Sequence, residues 1–198
     1  MRKVDPERQA AQRGRILEAA AECFARRGFH GTSTAEICAA AGMSPGNLFH
    51  YYPSKEALIE ALVDADRQAW AGRRRSLEEG DAASLLGNLV EEELARISDP
   101  GYRRLAMEVL AESVRNPRIA ERVARDETAR KEAFVGLLRR AAKRGQAPAG
   151  FQAAPSADWL LLLLDGAFSR AVVDPAFKPR ACARRIRAAV AAMLKEVP

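Results

Sequence analysis

The sequence predicts an all-α protein of about nine helices. Its plan is an N-terminal three-helix helix-turn-helix domain, joined by a fourth helix to a C-terminal helical domain. Three observations carry this expectation. Ala, Leu, Arg and Glu, all good helix formers, dominate the chain, and no run alternates apolar and polar residues as a half-buried strand does. A capping residue precedes proline at Asp5-Pro6, Ser44-Pro45, Asp99-Pro100, Asn116-Pro117 and Asp174-Pro175. In each pair the first side chain can accept from an orphan helix N–H, and the proline has no N–H to leave unpaired. Glycines follow the apolar-striped segments where a left-handed stop is expected.

Helix one is predicted from about Pro6 to Arg27, with Ile16, Ala20, Cys23 and Phe24 on one face and Gly28 as its stop. Helix two is short, Thr34 to about Ala41, opened by the capping box Ser33-Thr34-Ala35-Glu36 with Ile37 pointing inward. Gly42 makes the turn into helix three, Pro45 to about His50. Helix four follows Ser54 and carries Leu58, Ala61, Leu62 and Ala65 on one stripe. Helix five follows Asp81 with Leu86, Val90, Leu94 and Ile97. Helix six spans Pro100 to Arg115, and helix seven runs from Pro117 to Arg144 before Gly145. Helix eight, capped by Ser156, covers roughly Ala157 to Val173, and helix nine covers Pro179 to Leu194. The expected domains are residues 9–69, with the motif at about 32–51, and residues 81–198.

Composition narrows the function. The chain has 198 residues, 48% of them hydrophobic, which is enough for a sizeable core. Its net charge is +6, but residues 1–80 hold 12 basic and 11 acidic side chains, whereas residues 117–198 hold 16 and 8. Total basicity therefore does not identify a DNA-binding end. Cys23, Cys38 and Cys182 form no C-x-x-C pair and fit reduced thiols in a cytoplasmic protein. The apolar run Trp159 to Leu164 is far short of the roughly 20 residues a membrane span needs, and the N-terminus lacks the apolar core of a signal peptide. Two histidines without a ligand cluster argue against a metal. No nucleophile elbow, P-loop or dinucleotide fingerprint is present, so neither an enzyme nor a cofactor is expected.

The informative stretch is Thr32 to Leu58. Helix three is poorly built as a structural element: Pro45, Gly46 and Asn47 are weak helix formers, and Phe49, His50, Tyr51 and Tyr52 are bulky. A recognition helix tolerates this, because small residues let its backbone approach the major groove while polar tips reach base edges. Gly28-Phe29-His30-Gly31-Thr32-Ser33-Thr34, then Ile37, then Ala41 through Leu58 resembles the N-terminal signature of the tetracycline-repressor (TetR/AcrR) family of bacterial transcription regulators. The remainder, with Arg115-Asn116-Pro117 and Asp165-Gly166, is similar to the C-terminal domains of the choline-responsive BetI branch.

That resemblance implies a homodimer on double-stranded DNA, a palindromic operator, and release by a small-molecule effector. It implies that Thr34 touches a phosphate, that Ser44, Pro45, Gly46 and Asn47 face the DNA, and that Phe49, Tyr51 and Lys55 hold backbone-contact positions. The family usually has tyrosine where this chain has Phe49, so His50 or Tyr51 is expected to take over that contact. Asn47 pairs naturally with adenine, and Lys55 lies in the first turn of helix four, where free N–H groups favour a phosphate.

Helix eight is apolar all round, so it needs cover on two sides. A four-helix interface with a second subunit, using Leu160, Leu164, Ala167, Ala171, Ile186, Val190 and Met193, is the economical solution. Met107, Leu110, Phe134, Leu138 and Trp159, with Glu108 and Glu112 as polar anchors, are candidates for an effector cavity, though each also suits ordinary core packing. His30 reads as a loop residue. Arg73-Arg74-Arg75 and Glu91-Glu92-Glu93 read as solvated helix surface.

Overall fold

The computed structural model describes residues 5–75 and 81–194, with side chains described outside 73–80. The Arg73-Arg74-Arg75 side chains thus lie outside the described residues. Among the described residues there are nine helices and no strand: α1 Pro6–Arg27, α2 Thr34–Ala41, α3 Pro45–Tyr51, α4 Lys55–Arg75, α5 Ala82–Ser98, α6 Pro100–Ser113, α7 Pro117–Lys143, α8 Ala153–Val173 and α9 Pro179–Met193.

The capping chemistry explains most of the boundaries. Asp5 accepts from the N–H groups of Glu7 and Arg8, and Asp81 accepts from that of Ser84. Asp99 and Asn116 accept from the Gly101 and Arg118 N–H groups. Two of the expected caps act differently. α8 starts at Ala153, and Ser156 sits inside it, its hydroxyl donating back to the Gln152 carbonyl rather than capping. Asp174-Pro175 opens a turn, with Asp174 accepting from the Ala176 N–H, and α9 begins only after Lys178.

The chain forms two compact units: residues 1–69 with 104–123, and residues 70–103 with 124–198. Within these units, residues 104–123 group with the N-terminal stretch. Ile119, fully buried, joins its core, and Arg118 and Arg122 pair with Glu60 and Asp64 of α4.

In the first unit Ile16, Phe24, Ile37, Leu48, Leu58 and Ile59 fill a core on which α1 packs against α2 and α2 against α3. In the second unit α5 packs on α8 and α9, and α8 on α9. Leu86, Leu94, Phe134, Leu138, Leu160 and Leu164, all 0% exposed, form its centre. Glu93 departs from the solvated face expected of its acidic run. It is buried and accepts from Arg96 one turn on, which keeps its charge paired. Among the described residues no helix is long and apolar enough to cross a membrane.

Candidate nucleic-acid interface

The site is assembled by three short-range devices. First, α2 opens with a complete capping box: the Ser33 N–H donates to Glu36 at 2.8 Å, and the Glu36 N–H donates back to Ser33 Oγ at 3.2 Å. The Ser33 N–H and hydroxyl, both donating to the Glu36 carboxylate and reinforced by Arg27, hold that carboxyl below its ordinary range. Second, Gly42 takes a left-handed conformation, φ +65°, and its N–H closes the end of α2. Third, Ser44 caps α3 by accepting from the Asn47 N–H at 3.4 Å, with Pro45 in the first turn.

α3 is only seven residues long and is anchored by one apolar pair. Leu48 and Tyr52, one turn apart, are 1% and 3% exposed. Ser44, Pro45, Gly46, Asn47, Phe49 and His50 are all exposed, while Tyr51 is half-buried, its ring edge-on to His50. A Cβ added to Gly46 would meet nothing within 4 Å. The protein's own packing therefore does not demand a glycine there.

Thr34 lies half-buried at the first position of α2, and its N-terminal end of the helix favours an anion. Lys55 is placed differently from a simple phosphate contact. Its ammonium donates to the carbonyls of Phe29 at 2.8 Å and Thr32 at 3.0 Å, and lies 4.6 Å from the centre of the Phe29 ring. It organises the loop between α1 and α2 before it meets any ligand.

The same loop is gripped from α6. Glu108 accepts from the Phe29 N–H at 2.7 Å, and Glu112, 8% exposed, faces His30 Nε2 at 2.9 Å. The two carboxylates read as effector anchors are thus bonded within the first unit. Met107 and Leu110 also lie in this unit, exposed on α6. Phe134 and Leu138 are fully buried in the core of the second unit, where Trp159 is 42% exposed on α8. The candidate effector residues therefore divide between the units.

The expected dimer residues also pack within their own chain. Leu160, Leu164, Ala167, Ala171, Ile186 and Val190 are all under 9% exposed within their own chain, and Met193 packs partly buried against the same core. An all-round apolar helix does not announce which side turns inward. The side that α8 leaves open carries Trp159, Leu162, Val172 and Val173, with Leu162 at 68% and Val173 at 66% exposure.

Sequence reasoning missed Glu60, Arg118 and Arg122, which tie α4 to α7, and Arg13, which reaches the end of α3. These are contacts between residues 38 to 62 positions apart, and no local spacing signals them.

Comparison with known proteins follows this geometry. Residues 16–62 match the model of bacterial regulatory proteins of the tetR family, and residues 86–196 match that of the BetI-type transcriptional repressor C-terminal domain. The chain belongs to the TetR family. It is similar to the HTH-type transcriptional regulator UidR of Escherichia coli, 31% identical over 92% of each chain. Salmonella enterica GusR is a structural match at 34% identity and a TM-score of 0.78, covering 99% of this chain and 100% of that one. A TetR regulator from Haloarcula marismortui shares the fold, with a TM-score of 0.83 at 19% identity over 92% of this chain and 97% of that one. As a TetR-family member the chain is a helix-turn-helix transcriptional regulator, a homodimeric operator-binding protein of the repressor type released by a small-molecule ligand.

Proposed function

We propose that α3 reads operator bases with Asn47 and His50, while Thr34, Ser44, Tyr51 and the remaining N–H of Lys55 hold the phosphate backbone. The observation that supports this most directly is the open space around Gly46 beside an exposed Pro45-Gly46-Asn47 edge. Phe49, without a hydroxyl, contributes only apolar contact, for which a thymine methyl is a suitable partner. The two copies of α3 are presented by a dimer joined through the open face of α8, around Leu162 and Val173.

The effector is assigned to the second unit, where Phe134, Leu138 and Trp159 lie. Arg130 is its charged group. Its guanidinium is held among Glu93, Glu127 and Asp165, and its buried Nε has no hydrogen-bond partner among the described residues. The effector is bound and released without being turned over. The three unpaired cysteines fit the cytoplasm.

The test is binding of the purified protein to DNA flanking its own gene. Saturable, salt-sensitive binding is expected, with Asn47→Ala changing the preferred base at one position in each half-site. Equal losses on all sequences would remove Asn47 from base reading.

A further inference from the structure

We infer that Arg13, on α1, is a positioning residue for DNA recognition: it latches the C-terminal end of α3 and so sets how Asn47 and His50 face the bases. This rests on the reading of α3 as the recognition helix.

The geometry is reciprocal. Arg13 Nη1 donates to the Tyr51 carbonyl at 3.1 Å, and the guanidinium carbon lies 4.5 Å from the centre of the Tyr52 ring. The Tyr52 hydroxyl donates in return to the Arg13 carbonyl at 3.4 Å. Burial pushes the Tyr52 phenol up, more than Arg13 draws it down, which keeps it a donor. A seven-residue helix has too few internal bonds to hold itself straight. Its last turn leaves orphan carbonyls; the Tyr52 N–H satisfies Leu48 and Arg13 satisfies Tyr51. The guanidinium charge also sits at the negative end of the helix dipole and over the Tyr52 ring. At the other end Ser44 fixes the start of the helix. With both ends fixed, α3 has one rotation about its axis, and the residues between Ser44 and Tyr51 inherit it.

The experiment uses the full chain with Arg13→Lys and Tyr52→Phe. Selection from a pool of random duplexes gives base preferences, and titrations of the enriched and the unselected duplex over a salt series give the specificity ratio. Lysine keeps the charge but loses the planar fork of donors. We expect R13K to lower the ratio of specific to non-specific affinity on the order of tenfold, the weight of about 1.4 kcal/mol, with an unchanged salt slope. Y52F should shift the ratio in the same direction by less. If R13K matches the wild type in specific affinity, Arg13 acts through charge alone and the latch is overturned. A thermal midpoint lowered in R13K with base preference and ratio intact overturns it equally, because the contact is then only structural. If the wild type itself enriches no sequence, the recognition-helix reading falls and the latch with it.

Discussion

Glu108, on α6, accepts a hydrogen bond from the Phe29 N–H at 2.7 Å, two residues beyond the end of α1. The neighbouring Gly28 has φ +76° and ψ 163°, a region open almost only to glycine, and a Cβ there would lie 3.1 Å from the Glu108 carboxylate. Gly28→Ala is therefore expected to lower the unfolding free energy by about 1–3 kcal/mol. Glu108→Ala, which strands the Phe29 N–H, should cost about 1–3 kcal/mol. Glu108→Gln keeps an acceptor and should cost less than half of that. Urea midpoints at constant m-value decide between them; equal losses for Gln and Ala would show that charge, not acceptance, matters.

With Lys55 proposed as a phosphate contact, loop order and DNA binding are expected to change together. Lys55→Met leaves the Phe29 and Thr32 carbonyls without their ammonium, at an expected cost of about 2 kcal/mol. Its ammonium has three N–H groups and engages two carbonyls, leaving one for a phosphate. The variant should also bind every duplex more weakly, with the salt slope reduced by about one. Unfolding curves and salt-dependent titrations on the same preparation read both effects.

Arg122 bridges Glu60 and Asp64, with N–O distances of 3.0 and 2.5 Å, and Glu60 is only 6% exposed. Arg118 also reaches Glu60, but its side chain is 76% exposed and replaces little. Arg122→Ala should destabilise by about 3 kcal/mol, because a buried carboxylate loses its main partner. Arg122→Ala combined with Glu60→Gln should recover part of that loss in thermal unfolding.

Asp81 supplies a pH dependence. Hydrogen bonds from the Gln146 side chain and the Ser84 N–H hold its carboxyl at about 2, below the usual 3.8. A folded pKa below the unfolded one adds stability above the unfolded value, and that stability is lost as pH falls through the folded one. The window runs from 3.8 down to about 2. Over it, the urea midpoint of the wild type should fall faster than that of Asp81→Asn. Parallel acid limbs would exclude Asp81 as a source.

The two sides of α8 make opposite predictions. Leu162, 68% exposed, is free to take a charge without unfolding its own chain. Leu162→Glu should sediment as a folded monomer and bind the operator at least about tenfold more weakly, since two half-sites are no longer engaged together. Leu160 is fully buried, and Leu160→Ala should cost about 2–5 kcal/mol of stability.

Legibility in the sequence followed the range of the interaction. Ser33 with Glu36, Ser44 with Asn47 and the glycine stops act within a few residues, and their helices were expected at nearly the observed positions. α3 was conspicuous because Gly46 and Asn47 are poor helix formers with no packing reason of their own. The inward side of α8 was not legible, since five successive leucines from Leu160 to Leu164 give no stripe to orient. Nor were Glu108 and Glu112: an acidic residue on a helix looks the same in sequence whether it grips a loop, meets a ligand or faces water. Ser156 shows the limit of cap rules, because the same hydroxyl that can open a helix can also bond back inside one.

The first unit is assembled from two separate stretches of chain, residues 1–69 and 104–123. A DNA-reading head cut at residue 69 and grafted onto another sensor would leave Glu108, Glu112, Ile119 and Arg122 behind. It would arrive with the Phe29 N–H unanswered, a gap where Ile119 sat and a buried Glu60 without its main counter-ion. Transfer of this head therefore has to carry residues 104–123 as well as the N-terminal stretch, so a crossover near residue 69 does not move it whole. On the proposed reading of α3, new operator preferences are reached more simply by changing its few outward residues, where the protein's own packing imposes the least.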